Sequence, residues 1–442
     1  MSAYQITAAA LRPTICSKLL CTFLCLLFGL SVAAAAVADT SLADEISTQL
    51  HAKKQLPLYF PLSVSRFYMT QNFQQAWLKR EPGEVGHQWQ AMLLLDCVLQ
   101  YGLAHSDYHP DELRYELLHD IYDAPGMVSK DKQARFDIML TDAVLTILNH
   151  LHYGKINPEF TAARVDAGQG DMMMETVLAK ALTQTDITPV LLSVQPKSPA
   201  YVSMQLWMRK WKGQLVDDCY TVPEENVRKV AINMERLRWA DIGDGPYVQV
   251  NIPSYTLSLF LKDSTYRFKI ITGAWTTPTP LLQSSLYSIN TVSRTELSDQ
   301  LRTMELLPNT MAKHTGPAKS LLVFLFSSRY KIDLIEMPEP SLFKNTQRAL
   351  SHGNIGIEDA RQLADLLLAA QGDGNRLTQL HQAVASGKSH AFSLKNPIPF
   401  KVTYITCLIK DGQLVTYNDV YQLDGKLEQA VYHNPPPALA GR

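Results

Sequence analysis

The sequence has little excess charge and few cysteines, and each shortage excludes a class of protein. Lysine and arginine number 41 against 42 aspartates and glutamates, which gives the 442-residue chain a net charge of -1. A chain so close to neutral offers no basic field to a phosphate backbone, so we expect no nucleic-acid partner. The six cysteines are too few and too scattered to staple a small disulfide-rich domain.

The usual sequence marks of cofactor and metal sites are also missing. No glycine-rich phosphate-binding loop occurs, and no repeat of about 20 to 50 residues indicates a solenoid. His105 and His109 have the spacing of metal ligands but lie in a predicted turn, while His150 and His152 are two apart on a predicted helix and face different ways. We therefore expect neither a cofactor nor a metal ion.

One long hydrophobic run lies at the start of the chain. Arg12 and Lys18 precede the run Leu19–Ala38, which ends in an Ala-x-Ala pattern before Asp39. This arrangement predicts a secretory signal peptide over residues 1–38, with export to the periplasm or cell envelope. The alternative is an uncleaved membrane anchor, because the 20 largely apolar residues are nearly long enough to span a bilayer.

Hydrophobic periodicity divides the remainder into two parts. Over residues 39–235, segments such as Phe136–Leu151 carry apolar residues every three or four positions, which predicts a helical domain. Over residues 236–430 the alternation changes to that of strands, as in Tyr247–Leu261, and predicts a mainly β domain. The sequence thus predicts an α+β fold, with residues 431–442 as a C-terminal tail.

Two shorter signals refine the C-terminal half. Strand alternation over Val402–Leu408 leads into Asp411-Gly412, a strong hairpin signal. A single helix is predicted over Ile357–Ala370, with acidic residues in its first turn, and it ends in a turn over Gln371–Asn375.

The segment Ser351-His352-Gly353-Asn354-Ile355-Gly356 precedes that predicted helix and is the candidate site. A turn that leads into a helix can lower the pKa of a thiol and bind an oxyanion through its amide groups. The segment resembles the L,D-transpeptidase (YkuD-type) signature Ser-His-Gly-Cys-x-Arg.

The resemblance extends over nearly the whole chain after the signal segment. "GLAHSDYHPDEL" and "NMERLRW" resemble the helical scaffold domain of the larger members, and "TGAWTTPTP" and "PSLFKNTQRALSHG" resemble their catalytic domain. The resemblance implies a cell-wall enzyme in which a cysteine thiolate takes a peptidoglycan stem tetrapeptide as an acyl-enzyme. That stem is then passed to the amine of a neighbouring stem, with an upstream histidine as base.

Three residues depart from the family pattern where the chemistry would occur. Asn354 stands in the position of the cysteine and has no ionisable nucleophile, and Ile335 stands in the position of the basic histidine. Gly356 replaces the signature arginine, whereas Ser351, His352 and Gly353 are retained. We therefore expect none of these positions to be catalytic.

The resemblance and these departures together predict a catalytically inactive homologue. Its expected role is to bind peptidoglycan stem peptides or to scaffold an active cell-wall enzyme. The alternative is an active peptidoglycan L,D-transpeptidase or peptidase with a substituted site. Ser351 with His352 is a poor substitute, because neighbouring side chains on a tight turn rarely point at one another. Cys407 is equally poor, because a small residue on a predicted strand is usually buried.

Overall fold

The computed structural model describes residues 41–52, 56–79, 86–124, 126–212, 224–239, 245–293, 320–337, 339–372 and 374–433. The predicted signal peptide and most of the predicted C-terminal tail lie outside these ranges. None of the helices within them combines the length and apolar character that crossing a bilayer requires. The described chain has an α+β architecture, with helices first and a β-rich part second.

The helical part surrounds one long buried helix. Its helices are α1 Leu42–His51, α2 Pro61–Thr70, α3 His87–Asp96, α4 Tyr115–Asp123, α5 Lys130–His152, α6 Ala162–Asp166, α7 Met174–Ala181, α8 Thr188–Leu192, α9 Pro199–Lys212 and α10 Glu224–Trp239. Ser129 caps the start of α5, and nearly all of this helix is buried. Because α5 is buried on almost every side, the other helices pack around it.

Two buried aspartates of α5 hold the loops that surround it. The Asp137 carboxylate accepts hydrogen bonds from the backbone N–H groups of residues 76–78 and from the Tyr68 hydroxyl. The Asp142 carboxylate accepts from the N–H groups of Tyr59 and Phe60 and contacts His109 Nε2 at 2.6 Å. These contacts satisfy backbone groups that burial would otherwise leave without partners.

Helix α10 lies close to two loops between the other helices, and each of these loops has a glycine at the contact. Gly102 and Gly154 have φ values of +68° and +89°, which other residues rarely adopt. A Cβ atom at Gly102 would lie 2.9 Å from the Cα of Ala231, and one at Gly154 would lie 2.7 Å from the Glu235 carboxylate. Only glycine therefore permits this distance between α10 and the two loops.

The strands of the second part close into a ring. They are β1 Tyr247–Asn251, β2 Thr256–Leu261, β3 Ser264–Gly273, β4 Leu282–Val292, β5 Leu321–Phe326, β6 Leu334–Glu336, β7 Ala349–Ser351, β8 Ile355–Ile357, β9 His390–Thr403, β10 Cys407–Lys410 and β11 Gln413–Thr416. The order is β2-β1-β9-β4-β5-β6-β8-β3, and β3 also pairs with β2, which completes the circuit. Strand β7 pairs with β3 outside that circuit.

Three local details differ from the sequence predictions. Residues Ile355–Ile357 form β8, so the helix predicted from Ile357 begins instead at Ala360 as α11, Ala360–Ala370. A second helix, α12 Gly374–Ser386, follows it, so the single-helix prediction is wrong. The predicted strand through Val402 and Leu408 is interrupted between β9 and β10.

The chain returns to the helical part at its end. Strands β10 and β11 form the predicted hairpin, with φ of 51° at Asp411 and 77° at Gly412, as a type I′ turn requires. Helix α13, Asp424–His433, packs against α10 through Leu427 and Val431. The domain boundary predicted after residue 235 lies inside α10, and the division itself stays a prediction.

Candidate functional site

The candidate site is the tight turn between β7 and β8. The Ser351 hydroxyl donates to the Asn354 carbonyl at 2.5 Å, and Gly353 has a φ of 95° that favours glycine. His352 is exposed, whereas the other residues from 351 to 356 are buried. The Ser351 hydroxyl thus closes the turn through a backbone carbonyl and does not act on the neighbouring imidazole.

Asn354 uses its side chain to tie the turn to the preceding strand. Its Oδ1 accepts the backbone N–H of Asp333 at 2.7 Å, and the Ile355 N–H donates to the Asp333 carbonyl at 2.9 Å. Asn354 is only 3% exposed. A carboxamide in this position cannot attack a carbonyl carbon, and here it acts as a structural acceptor.

Ile335 lies on the strand next to that turn. Strands β6 and β8 run parallel, and Ile335 is opposite Gly356. Position 335 therefore lies one strand away from the turn that carries Asn354. The Ile335 side chain packs with Leu321 and Val323 in a small apolar cluster. An aliphatic side chain in this cluster cannot accept or donate a proton, and it needs no hydrogen-bond partner.

Met337 occupies space beside Gly356. A Cβ atom at Gly356 would lie 2.7 Å from the Met337 Cε and 3.3 Å from its Cβ. Met337 is buried and packs with Ile271 and Phe343. An arginine at position 356 would therefore require Met337 to move or to be replaced.

A buried hydrogen-bond network supports the turn from the opposite side. The Thr279 hydroxyl donates to the Gly353 carbonyl at 2.9 Å and accepts the Gly273 N–H at 2.8 Å. The Tyr421 hydroxyl donates to the Gly273 carbonyl at 2.7 Å and accepts the Thr279 N–H at 3.1 Å. Thr277 also donates to the Ser351 carbonyl at 3.2 Å. These contacts hold the turn in addition to those made by Ser351 and Asn354.

Burial shifts the pKa of two ionisable groups at the site. Burial raises the pKa of the Asp333 carboxyl above its ordinary value. Burial also lowers the pKa of Arg348, which donates to the carbonyls of Ile270 and Tyr255 at 3.0 and 3.1 Å. Within the described residues, no group of three metal-ligating side chains comes together.

Cys407 is no substitute for the missing thiol. It lies on β10, is fully buried, and packs against α9 and α10. Burial raises the pKa of its thiol to about 12, so the reactive thiolate is not populated at neutral pH.

The sequence analysis identified the 351–356 segment and Ile335 as the candidate site, but not the residues that hold them in place. Asp333, Met337, Thr279 and Tyr421 were not identified as site residues. Thr279 lies in the quoted segment "TGAWTTPTP", whose threonines were the available signal. Nothing in the sequence indicates that Tyr421 contacts Gly273, because that contact joins residues 148 positions apart.

Replacing Asn354 by alanine is expected to lower the free energy of unfolding by about 1 to 3 kcal/mol, because the Asp333 N–H loses a buried acceptor. The measurement is urea denaturation of the purified protein. His352→Ala is the matched control in the same turn, and its exposed side chain should keep the change within about 0.5 kcal/mol. Equal effects of the two substitutions would contradict the structural role of Asn354.

Two comparisons with known proteins found similar sequences. A family model described as a Scaffold domain matches residues 63–208, from α2 to α9. Over 253 residues the chain is 26% identical to a Haemophilus influenzae protein named "Putative L,D-transpeptidase". The match covers 48% of this chain and 51% of the relative, so the chain spans about half the length of the curated relative that it matches. Together the two findings support the L,D-transpeptidase family, in its form with a helical scaffold domain.

Proposed function

We propose that this chain is a catalytically inactive, YkuD-type L,D-transpeptidase homologue of the cell envelope. In this proposal it contributes to peptidoglycan cross-linking by binding stem peptides or by scaffolding an active cell-wall enzyme. The observation that carries the proposal is the hydrogen bond from the Asp333 N–H to Asn354 Oδ1. The family nucleophile would occupy that position, and the amide found there is engaged in holding the turn.

The surroundings of Asn354 support the same conclusion. Loss of a nucleophile or its base lowers turnover on the order of 10^4- to 10^6-fold, and this chain replaces both. Ile335 lies among aliphatic side chains that cannot exchange a proton. Met337 occupies the space that a side chain at Gly356 would need.

Export completes the proposal. The segment 1–38 carries the basic and apolar pattern of a signal peptide. A cell-wall role requires the chain to reach the compartment that contains peptidoglycan.

Incubation with a purified disaccharide-tetrapeptide is expected to yield no cross-linked dimer and no covalent adduct. Incubation with a carbapenem, which acylates the cysteine of active members, is expected to leave the intact mass unchanged. An active L,D-transpeptidase assayed in parallel controls for substrate and inhibitor quality. A stem-peptide adduct on any residue of this chain would overturn the inactive assignment and favour an enzyme with a substituted site.

A binding assay separates the two non-catalytic roles. Retention on isolated peptidoglycan that free tetrapeptide competes away indicates stem-peptide binding. Retention of an active L,D-transpeptidase on the immobilised chain, without effect of tetrapeptide, indicates scaffolding. If the chain retains neither, both roles are wrong.

A further inference from the structure

Residues 404–424, which we call the strap, connect helix α10 to the candidate site. On the side that faces α10, Arg236 Nη1 donates to Asp424 Oδ1 at 2.6 Å. The Thr406 hydroxyl donates to Asp424 Oδ2 at 2.8 Å, which joins the two sequence ends of the strap. The Arg236 guanidinium also lies over the Tyr404 ring, with its carbon 5.1 Å from the ring centroid. The Arg236 side chain is 4% exposed, so these contacts are made away from water.

Asp419 and Tyr404 connect these contacts to Tyr421. The Asp419 carboxylate accepts the Tyr404 hydroxyl at 2.6 Å and the backbone N–H groups of Leu423 and Asp424, each at 2.9 Å. The Tyr404 hydroxyl accepts the Tyr421 N–H at 2.6 Å, and the two rings stack with centroids 5.6 Å apart. A shift of Arg236 or Asp424 would therefore displace groups that also fix Tyr421.

Tyr421 joins the strap to the hydrogen-bond network that supports the turn. Its hydroxyl joins the Gly273 carbonyl and the Thr279 N–H, and the Thr279 hydroxyl donates to the Gly353 carbonyl. Strand β3 and the turn are in tight contact here, because a Cβ atom on Gly273 would lie 2.9 Å from the Gly353 Cα. The contacts form one continuous path from α10 to the residue before Asn354.

We propose that the strap couples the helical part to the 351–356 turn, so that the position of α10 sets how often this turn opens. The groups in the path are buried or partly buried, each has its partner on the next group, and removing one leaves another without that partner. Local opening of a turn depends on the contacts that hold it closed. The coupling does not depend on whether the chain is catalytically inactive.

A thiol placed at position 354 reports the opening directly. In the full chain carrying Asn354→Cys, iodoacetamide can alkylate the buried thiol only when the turn opens. The rate is followed by peptide mass spectrometry, with the partly exposed Cys97 of the helical part as the internal reference. Thermal unfolding followed by circular dichroism identifies any variant that has lost its fold.

Arg236→Gln and Tyr404→Phe, each in the Asn354→Cys background, are expected to raise the alkylation rate at position 354 about tenfold. The double variant should stay within twofold of the faster single variant, because both substitutions interrupt the same path. Arg228→Gln is the matched control, since Arg228 lies on the same helix but pairs with the partly exposed Glu428. Its rate should remain within twofold of the background.

Two results would overturn the proposal. One is an unchanged rate in folded Arg236→Gln and Tyr404→Phe proteins, with a raised rate only in Tyr421→Phe, which contacts the turn network directly. The other is a double variant whose rate equals the product of the two single effects, since independent sites multiply in this way. If Arg236→Gln does not fold, Arg236→Lys replaces it, because lysine keeps the charge but not the planar contact with Tyr404.

Discussion

Replacing Lys155 by methionine is expected to lower the free energy of unfolding by about 3 to 5 kcal/mol, because it leaves a buried charge without its partner. Lys155 Nζ lies 2.9 and 2.8 Å from the two Asp107 carboxylate oxygens and donates to the Val431 carbonyl at 2.6 Å. The two side chains are 6% and 4% exposed. The substitution would therefore also release the end of α13 from the helical part.

The loss should depend on pH. Burial raises the pKa of Asp107, and the Lys155 ammonium opposes that rise, so removing Lys155 raises the pKa further above the ordinary value of 3.8. The folded variant then binds more protons than the unfolded chain as the pH increases above 3.8, and its stability falls over that range. The deficit relative to the parent should be largest at neutral pH and smaller in acid.

Urea denaturation at two pH values, about 4.5 and 7, measures both effects. Arg228→Met is the matched control, because it breaks the more exposed pair with Glu428, which water screens, and it should change the stability little. The double variant Lys155→Met with Asp107→Asn should recover part of the loss. A Lys155→Met protein as stable as the control would show that the pair contributes little.

Restoring the family residues is expected to give the largest increase in the rate of carbapenem acylation, but only when Met337 is replaced as well. Asn354→Cys alone should react weakly with a carbapenem, because it has no base to form the thiolate. Adding Ile335→His and Gly356→Arg brings a side chain into the space that Met337 holds. With Met337→Thr also included, the acylation rate should exceed that of Asn354→Cys by more than about 100-fold, the usual contribution of a general base.

The measurement is intact-mass kinetics of carbapenem acylation. The matched control is the triple variant with Asn354→Cys, Ile335→His and Gly356→Arg, which keeps Met337. It should be less stable in urea than the quadruple variant that also carries Met337→Thr. Purely additive gains among the four substitutions would show that the family arrangement no longer exists in this chain. Equal stability of the two combined variants would contradict the packing argument for Met337.

Local signals predicted the parts of the fold that short segments determine. The periodicity of Phe136–Leu151 predicted the core of α5, and Asp411-Gly412 predicted a hairpin because both positions adopt positive φ. Helix α12 was missed because the glycine and asparagine near its start are typical of a turn. Strand β8 was missed, and its last residue, Ile357, was assigned to the helix, because three residues are too few to show a period.

The candidate site was predictable only as far as its motif extends. The resemblance identified Asn354, Ile335 and Gly356 from their places in the sequence. It gave no information on what replaced the lost interactions, because Met337 and Asp333 act through packing and backbone contacts in three dimensions. Tyr421 was beyond reach for the same reason.

The closed order of the strands also determines when the β-rich part can fold. Strand β9 lies between β1 and β4, and Asn251 at the end of β1 accepts the Ile405 N–H from 154 positions further along the chain. Chain entropy must be lost before such distant pairings return any free energy, so sheets of this kind fold slowly. During synthesis, strands β1 to β4 are made about 100 residues before β9, His390–Thr403, and the place of β9 between β1 and β4 stays unfilled until then. In that interval the edges of β1 and β4 that β9 will cover are open to pairing with other chains, so this half of the protein is most prone to aggregation before β9 has been made.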